Sequence, residues 1–162
     1  MDRTSNTQFS PTGEGPRSQF GALCWRRADT GIEILLITSR DTGRWVIPKG
    51  WPIDGLGPAG SAEREAWEEA GVKGDLAQQP VGFFSYDKGI APDETLPCVV
   101  SVFPLHVTSL ADRFPERKER RRKWFSPEKA ARKVAEPELQ CLLTDLAKDA
   151  TSLAHPAADP TP

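Results

Sequence analysis

The chain has 162 residues, of which 27% are charged and 38% hydrophobic, and its formal net charge at pH 7 is −2. This length predicts one domain with one substantial core, and the sequence contains neither an apolar run long enough for a membrane span nor a hydrophobic signal region. We therefore expect a cytoplasmic protein whose folded domain covers residues 19–150. The ends, 1–18 and 151–162, are rich in proline and small or polar residues, which predicts a flexible N-terminal tail and a flexible C-terminal tail.

Strands and helices are predicted to alternate along the chain, without a regular strand–helix–strand repeat. Short runs of apolar and β-branched residues predict the strands, and Ser126 followed by Pro127 predicts the start of a helix. The predicted strands are 20–25, 32–37, 45–47, 81–84, 98–103 and 123–125, and the predicted helices are about 127–135 and 137–149. Residues 87–97 carry mixed charge and are predicted to form a loop. This order indicates an α/β fold.

A glycine-rich loop that begins at Gly50 leads into a segment with three closely spaced glutamates. Glu65, Glu68 and Glu69 lie at positions i, i+3 and i+4, which on a helix places their carboxylates within a narrow arc. Like charges in that arrangement repel one another, whereas a hard divalent cation with a preference for oxygen ligands turns the repulsion into a binding site. The pattern therefore predicts a site for Mg²⁺, with Mn²⁺ as an alternative.

The rest of this segment has the features of a complete helix. A stripe of small apolar residues at helical spacing, suited to close packing on a sheet, consists of Ala59, Ala62, Ala66 and Ala70. Pro58 suits the first helical turn, and Gly71 suits the left-handed position just past the end. Arg64 lies four residues before Glu68, so we expect it to pair with that carboxylate and orient it.

The loop and helix together resemble the Nudix box, the motif of hydrolases that act on nucleoside diphosphates linked to another group. The residues that match the motif in register are Gly50, Arg64, Glu65, Ala66, Glu68, Glu69, Gly71 and Val72. One position departs from it, because Leu56 stands where the motif has its first glutamate. The resemblance implies a Nudix-type α/β/α sandwich with a mixed β-sheet and a loop–helix catalytic motif, and it implies hydrolysis of diphosphate linkages.

The resemblance also implies roles for individual residues of the box. Glu65 and Glu69 would be the central metal ligands, with Glu68 as a further ligand or a water-mediated partner. The backbone carbonyl of Gly50 would complete the ligand set. The residues expected to be catalytic are Arg64, Glu65 and Glu68. The group that accepts the proton of the attacking water stays open among Glu65, Glu68, Asp93 and Glu94.

Residues 113–123 form a strongly basic run in a chain of nearly balanced charge, and such a run suits a polyanionic substrate. Its continuation through Phe125, and residues 39–48, resemble the diphosphoinositol polyphosphate phosphohydrolases. By position, that resemblance implies phosphate contacts from Arg17, Arg40, Arg44, Arg120 and Arg122. The tripeptide at 48–50, Pro-Lys-Gly, is a form also seen in dinucleoside polyphosphate hydrolases, so both substrates stay open. The competing interpretation of the run is a solvated surface.

Three functions compete at this point. The first is a Mg²⁺-dependent hydrolase of a polyphosphorylated small molecule, either a diphosphoinositol polyphosphate or a dinucleoside polyphosphate. The second is a Nudix module that binds its ligand without hydrolysing it, for which Leu56 is the hint. The third is an RNA-associated protein that uses the basic run, but no interleaved aromatic platform or other RNA-binding motif in the sequence supports it. The expected partner is thus a small molecule, neither a membrane nor a nucleic acid, and the oligomeric state is left open.

The cysteines and histidines are not expected to be catalytic. Cys24, Cys98 and Cys141 lie in apolar segments with no metal-site spacing, which predicts buried free thiols. His155 falls in the predicted C-terminal tail and His106 at the end of a strand-like run, so neither is a good candidate for an essential base.

Overall fold

The computed structural model describes residues 15–154, so most of the two predicted tails lies outside the described residues. The strands are β1 (Arg17–Ala28), β2 (Gly31–Thr38), β3 (Trp45–Val46), β4 (Lys49–Gly50), β5 (Val72–Leu76), β6 (Gly82–Ala91), β7 (Glu94–Leu110) and β8 (Arg122–Phe125). The helices are α1 (Gly57–Ala70), α2 (Pro127–Lys133), α3 (Pro137–Lys148) and α4 (Thr151–Ala154). None of the helices within this part of the chain is both long enough and apolar enough to cross a membrane.

The strands of the described residues form one mixed sheet. Its main strand order is β3-β2-β1-β7-β5, with β4 paired to β1, β6 to β7 and β8 to β2. The pairing of β1 with β7 is parallel, whereas β1 pairs with β2 and β4 in the antiparallel sense. The middle of β1, from Ala22 to Trp25, is buried at every position, as expected for a central strand that is covered on both faces.

Helices cover both faces of this sheet. On one face the alanine stripe of α1 packs with strand residues such as Leu35 and Leu105. On the other face α2 and α3 bury residues such as Leu139 and Leu143 against the strands. Two apolar layers separated by a mixed sheet make an α/β/α sandwich, so the predicted fold class is confirmed.

The structure corrects the prediction of a loop over residues 87–97. These residues belong to a hairpin, in which Asp87 pairs with Pro97 and Lys88 with Leu96 across β6 and β7. The turn at Pro92 and Asp93 places Asp93 in the left-handed region, with φ 66°. Proline followed by a residue with positive φ is typical of a type II turn, so Pro92-Asp93 was a usable signal. The hairpin was missed because the strand residues beside this turn are exposed, so the sequence there shows no regular alternation of polar and apolar positions.

Two short strands and one cysteine also differ from the predictions. The strands β4 and β5 were not predicted, because Lys49–Gly50 is only two residues long and Val72–Leu76 alternates charged residues with glycine. Cys24 and Cys98 are buried as predicted, but Cys141 is exposed. In α3 the buried positions are Leu139, Leu143 and Leu146, and Cys141 projects from the opposite side of the helix. The prediction of a buried thiol at this position is therefore wrong.

Candidate active site

The helix α1 begins and ends where its sequence predicts. Pro58 lies in its first turn, and Gly71 follows its last residue with φ 68° while its N–H donates to the carbonyls of Ala66 and Trp67. A side chain at this glycine would collide with the ring of Phe114, so close packing as well as the left-handed backbone requires glycine here. The alanine stripe is buried. The ends of the helix and its buried alanine stripe together fix the direction in which the glutamates of α1 point.

The side chains of two of the three box glutamates converge beside β4. The side chains of Glu65 and Glu69 are hydrogen-bonded to each other, and the backbone N–H of Lys49 donates to Oε1 of Glu69 at 3.3 Å. Burial, together with the hydrogen bond to Glu69, raises the pKa of Glu65 to about 8. Burial also raises the pKa of Glu69, an effect that the nearby Arg120 opposes. Both carboxyls are thus held in a pocket that disfavours two negative charges.

The backbone of Gly50 lies directly against this pair. A Cβ atom at this position would overlap the carboxylate of Glu65. Gly50 is held in place by β4, in which it pairs with Phe20 of β1. Glycine is therefore required for the close approach of backbone and carboxylate.

Arg120 joins the glutamate pair to a further acid that the sequence analysis did not select. Its guanidinium lies 3.5 Å from Oε2 of Glu69, and its Nε donates to Oε1 of Glu116 at 2.8 Å. A third bond, of 3.0 Å, runs from Nη1 to the carbonyl of Thr38. The backbone N–H of Glu116 donates to the carbonyl of Glu68 at 3.0 Å, which anchors this segment on α1. Arg120 is therefore a buried link between two carboxylates, with a side chain only 9% exposed.

These groups line a cavity of about 340 Å³. Its cationic lining residues are Arg40, Lys49, Lys88 and Arg120, and its acidic ones are Asp41, Glu65, Glu69 and Glu116. Burial lowers the pKa of Lys49, although Glu69 opposes this effect. The ammonium group of Lys49 lies 4.8 Å from the centre of the Tyr86 ring, and the hydroxyl of Tyr86 donates to Gln19 at 2.7 Å. The cavity is thus polar and charged, which suits a phosphorylated ligand.

The paired carboxylates suit a hard divalent cation. The carboxylates of Glu65 and Glu69 and the backbone carbonyl of the adjacent Gly50 offer only oxygen donors, which Mg²⁺ and Mn²⁺ prefer. A cation there would offset the mutual repulsion of the two carboxylates. Within residues 15–154, no three side chains among His, Cys, Asp and Glu are already arranged to hold an ion. The ligand set would therefore depend on the pair, a backbone carbonyl and water.

The other predicted acids lie away from this cavity. The carboxylate of Glu68 lies 4.0 Å from Nη1 of Arg64, at the limit of an ion pair, and both side chains are more than a third exposed. Neither residue lines the cavity, and neither do Asp93 and Glu94 of the hairpin turn. The catalytic and metal-binding roles of Arg64 and Glu68 stay predictions.

The predicted phosphate-contacting arginines are not brought together. Arg40 and Arg120 line the cavity, and Arg40 also pairs with Glu119 at 3.1 Å. Arg44 instead lies 3.9 Å from Glu136, and Arg17 begins β1, opposite Cys98 of β7. Nη1 of Arg122 donates to the carbonyl of Ala70 at 2.7 Å, where α1 ends. The phosphate contacts of the arginines that do not line the cavity stay predictions.

The basic run nevertheless forms part of a second depression, which adjoins the cavity. This groove of about 350 Å³ shares Ser39, Arg40 and Arg120 with the cavity. It adds Lys118 and Arg121, which the sequence analysis did not select as site residues. The strand β8, which pairs with β2, brings this end of the run beside Thr38. The groove continues the basic lining from Arg40 along the surface.

Comparison with known protein families identifies the fold and the motif. The model of the NUDIX domain matches residues 15–146. This chain belongs to the Nudix family. The match covers the sheet, α1, α2 and most of α3, so it includes every strand and side chain that forms the cavity.

Curated relatives extend the likeness to two named groups of hydrolases. This Nudix protein is 37% identical over 102 residues to Nudix hydrolase 12, mitochondrial, of Arabidopsis thaliana, a match that covers 61% of this chain and 50% of the plant protein. The matched region therefore spans half the length of that relative. This Nudix protein is also 33% identical over 119 residues to diphosphoinositol polyphosphate phosphohydrolase 3-alpha of Homo sapiens, a match that covers 72% of this chain and 68% of the human protein.

Solved structures agree on the fold at lower sequence identity. A C. elegans Ap4A hydrolase binary complex aligns with a TM-score of 0.62 and 21% identity, covering 84% of this chain and 98% of that one. The E. coli dihydroneopterin triphosphate pyrophosphohydrolase aligns with a TM-score of 0.62 and 16% identity, covering 82% and 95%. At these identities the likeness supports the shared fold alone.

Proposed function

We propose that this Nudix protein is a Mg²⁺-dependent hydrolase that cleaves a P–O–P linkage in a polyphosphorylated small molecule. The candidate substrates are a diphosphoinositol polyphosphate and a dinucleoside polyphosphate. The observation that supports this most is the meeting of Glu65, Glu69 and the backbone of Gly50 at one charged cavity. The names of the curated relatives support the same reaction class. We further propose that the protein is located in the cytoplasm.

The chain's own residues would bind and orient the diphosphate. Glu65, Glu69 and the carbonyl of Gly50 would hold the cation, with Mn²⁺ as an alternative to Mg²⁺. Bound Mg²⁺ would offset the negative oxygens around the linkage, which otherwise repel an attacking water. Arg40 and Lys88 line the same cavity and would contact phosphate oxygens. The side chain of Arg40 is exposed, whereas that of Arg120 is buried between two carboxylates.

The proton acceptor for the attacking water is open among several acids. Glu65, Glu68, Asp93 and Glu94 are the candidates from the sequence, and Glu116 joins them because its carboxylate lines the cavity. The acids that line the cavity are favoured, because a general base must lie within hydrogen-bond reach of the attacking water. Their carboxylates border the space that a substrate would occupy.

A substrate panel with product identification tests the proposal. A diphosphoinositol polyphosphate, a dinucleoside polyphosphate and ADP-ribose are incubated with the protein, with Mg²⁺ and with excess chelator. We expect Mg²⁺-dependent release of products from at least one of the first two. Binding of a panel member without turnover under any condition would favour the alternative, a Nudix module that binds without hydrolysis.

A further inference from the structure

Trp51 differs from every other tryptophan of the protein in its surroundings. All five tryptophans lie within residues 15–154, and four of them have a ring or cation partner. The four pairs are Trp25 stacked on His106, Trp45 edge-on to Phe125, Lys73 over Trp67, and Arg26 over Trp124. Trp51 has no such partner among the described residues, lines the cavity of the candidate active site, and is 39% exposed. Part of its indole ring is therefore accessible to a ligand in that cavity.

The backbone that carries this indole is fixed on both sides. On one side β4 ends at Gly50, which pairs with Phe20. On the other side Pro52 limits the backbone of Trp51 to extended conformations. The next residue, Ile53, donates its N–H to Oγ of the buried Ser61 at 2.9 Å, which ties the loop to α1. Trp51 thus lies on an anchored segment, so the backbone that carries its exposed ring is positioned before any ligand arrives.

Charge alone does not distinguish the two candidate substrates within the cavity. Four cationic residues face four carboxylates there, so the formal charges balance. The adjoining basic groove attracts phosphates of either substrate. The substrates differ in another respect, because a nucleobase has a planar π face and the saturated inositol ring has none. Stacking on an aromatic side chain is strong and tolerant of base identity.

We propose that Trp51 is a specificity-determining residue that stacks on the base of a nucleotide substrate. The preferred substrate is then the dinucleoside polyphosphate, in preference to the diphosphoinositol polyphosphate. This inference rests on the proposed function, since it concerns the same cavity. Its geometric basis is that Trp51 follows Gly50 directly, so their Cα atoms are about 3.8 Å apart. A base on the indole would bring its attached phosphates towards Glu65 and Glu69.

Equilibrium binding tests this without relying on turnover. The probes are a dinucleoside tetraphosphate with P–CH₂–P bridges, which resists hydrolysis, and inositol hexakisphosphate, each titrated calorimetrically into the 162-residue protein with Mg²⁺. The variants are Trp51→Leu, which keeps an apolar side chain, and Trp51→Phe, which keeps an aromatic ring. Phe83→Leu is the matched control, since Phe83 is 57% exposed but does not line the cavity. A thermal melt of each variant verifies folding.

We expect Trp51→Leu to raise the Kd of the dinucleotide about 10- to 100-fold, the range of one lost stacking contact. The same variant should leave the Kd of inositol hexakisphosphate within about twofold, and Trp51→Phe should keep most of the dinucleotide affinity. An unchanged Kd for the dinucleotide in Trp51→Leu, equal losses for both probes, or no dinucleotide binding by the wild type would overturn the inference.

The outcome also separates this inference from the proposed function. Dinucleotide binding that depends on Trp51, in a protein that cleaves no substrate of the panel, would refute hydrolysis and leave the stacking role intact. Mg²⁺-dependent cleavage with kinetics that Trp51→Leu does not alter would refute the stacking role and leave hydrolysis intact.

Discussion

Arg120 donates to Glu116 at 2.8 Å and lies 3.5 Å from Glu69, so one buried guanidinium joins an acid of the box helix to an acid of the basic run. The side chains of Arg120 and Glu69 are only 9% and 10% exposed. Removal of one partner from such a buried pair leaves an uncompensated charge, whose cost exceeds the value of the pair itself. Arg120 is therefore central to the architecture of the cavity as well as to its charge.

We expect Arg120→Ala to lower the free energy of unfolding by about 3 kcal/mol, because Glu69 and Glu116 would be left buried without their cation. Urea denaturation measures this change. Arg121→Ala is the control, since Arg121 is an exposed neighbour in the same run and should change stability by less than about 0.5 kcal/mol. Equal stability of the two variants would mean that the buried link is not formed in solution.

Gly50→Ala should separate metal binding from folding. The added Cβ would overlap the carboxylate of Glu65, whose side chain is flexible enough to move away. We therefore expect stability to change by less than about 1 kcal/mol, while the affinity for Mg²⁺ falls about tenfold or more because a ligand is displaced. Calorimetric titration with Mg²⁺ measures the affinity. Gly89→Ala, where an added Cβ meets no atom within 4 Å, should retain it.

Arg122 is expected to stabilise α1, whatever its part in substrate binding. Its guanidinium donates to the carbonyl of Ala70 at 2.7 Å and lies 4.9 Å from the centre of the Phe114 ring. Arg122→Ala should cost about 1.5–3 kcal/mol of stability, the range for a hydrogen bond from a charged group. The KM values of this variant test the predicted phosphate contact of Arg122 separately, since its side chain does not line the cavity. A KM within about twofold of the wild type for every substrate of the panel would leave only the structural role, whereas a selective rise for the most highly phosphorylated substrate would confirm the contact.

Leu56 is not expected to limit catalysis. It precedes α1, is 36% exposed, and lines a surface groove with Arg64 on the outer side of the helix. Leu56→Glu should therefore leave turnover within about tenfold, a change in barrier of about 1.4 kcal/mol or less. Leu56→Gln is the control, because glutamine has nearly the shape of glutamate but carries no charge. A rise of several orders of magnitude for the glutamate variant alone would mark the natural protein as a weakened enzyme.

The box helix was predictable from sequence because its determinants are local. Pro58, Gly71 and the alanine stripe specify where α1 begins, where it ends and which face is buried, and the structure agrees at each point. The convergence of Glu65 with Glu69 follows from helical spacing alone. Local spacing also placed Glu68 near them, yet its carboxylate points towards Arg64, outside the cavity.

Glu116 could not be found in the same way, because long-range strand pairing brings it to the cavity. The backbone of Arg121 accepts a hydrogen bond from the N–H of Thr38 at 3.0 Å, and its own N–H donates to the Thr38 hydroxyl at 2.9 Å. This registers the basic run against the end of β2 and turns Arg120 inwards and Arg122 towards α1. Only the spacing of Glu116 four residues before Arg120 hinted at their pairing.

The most direct test of the proposed chemistry is the Mg²⁺-dependent initial rate of P–O–P cleavage by Glu69→Gln, measured on the best substrate of the panel. The amide keeps the shape of the side chain but removes the charge that would hold the cation, so we expect a loss of about 100-fold or more with little change in the melting temperature. Glu63→Gln, at an exposed position of the same helix, should retain the wild-type rate. Near-wild-type turnover of Glu69→Gln at saturating Mg²⁺ would contradict the assignment of this cavity as the metal-dependent active site.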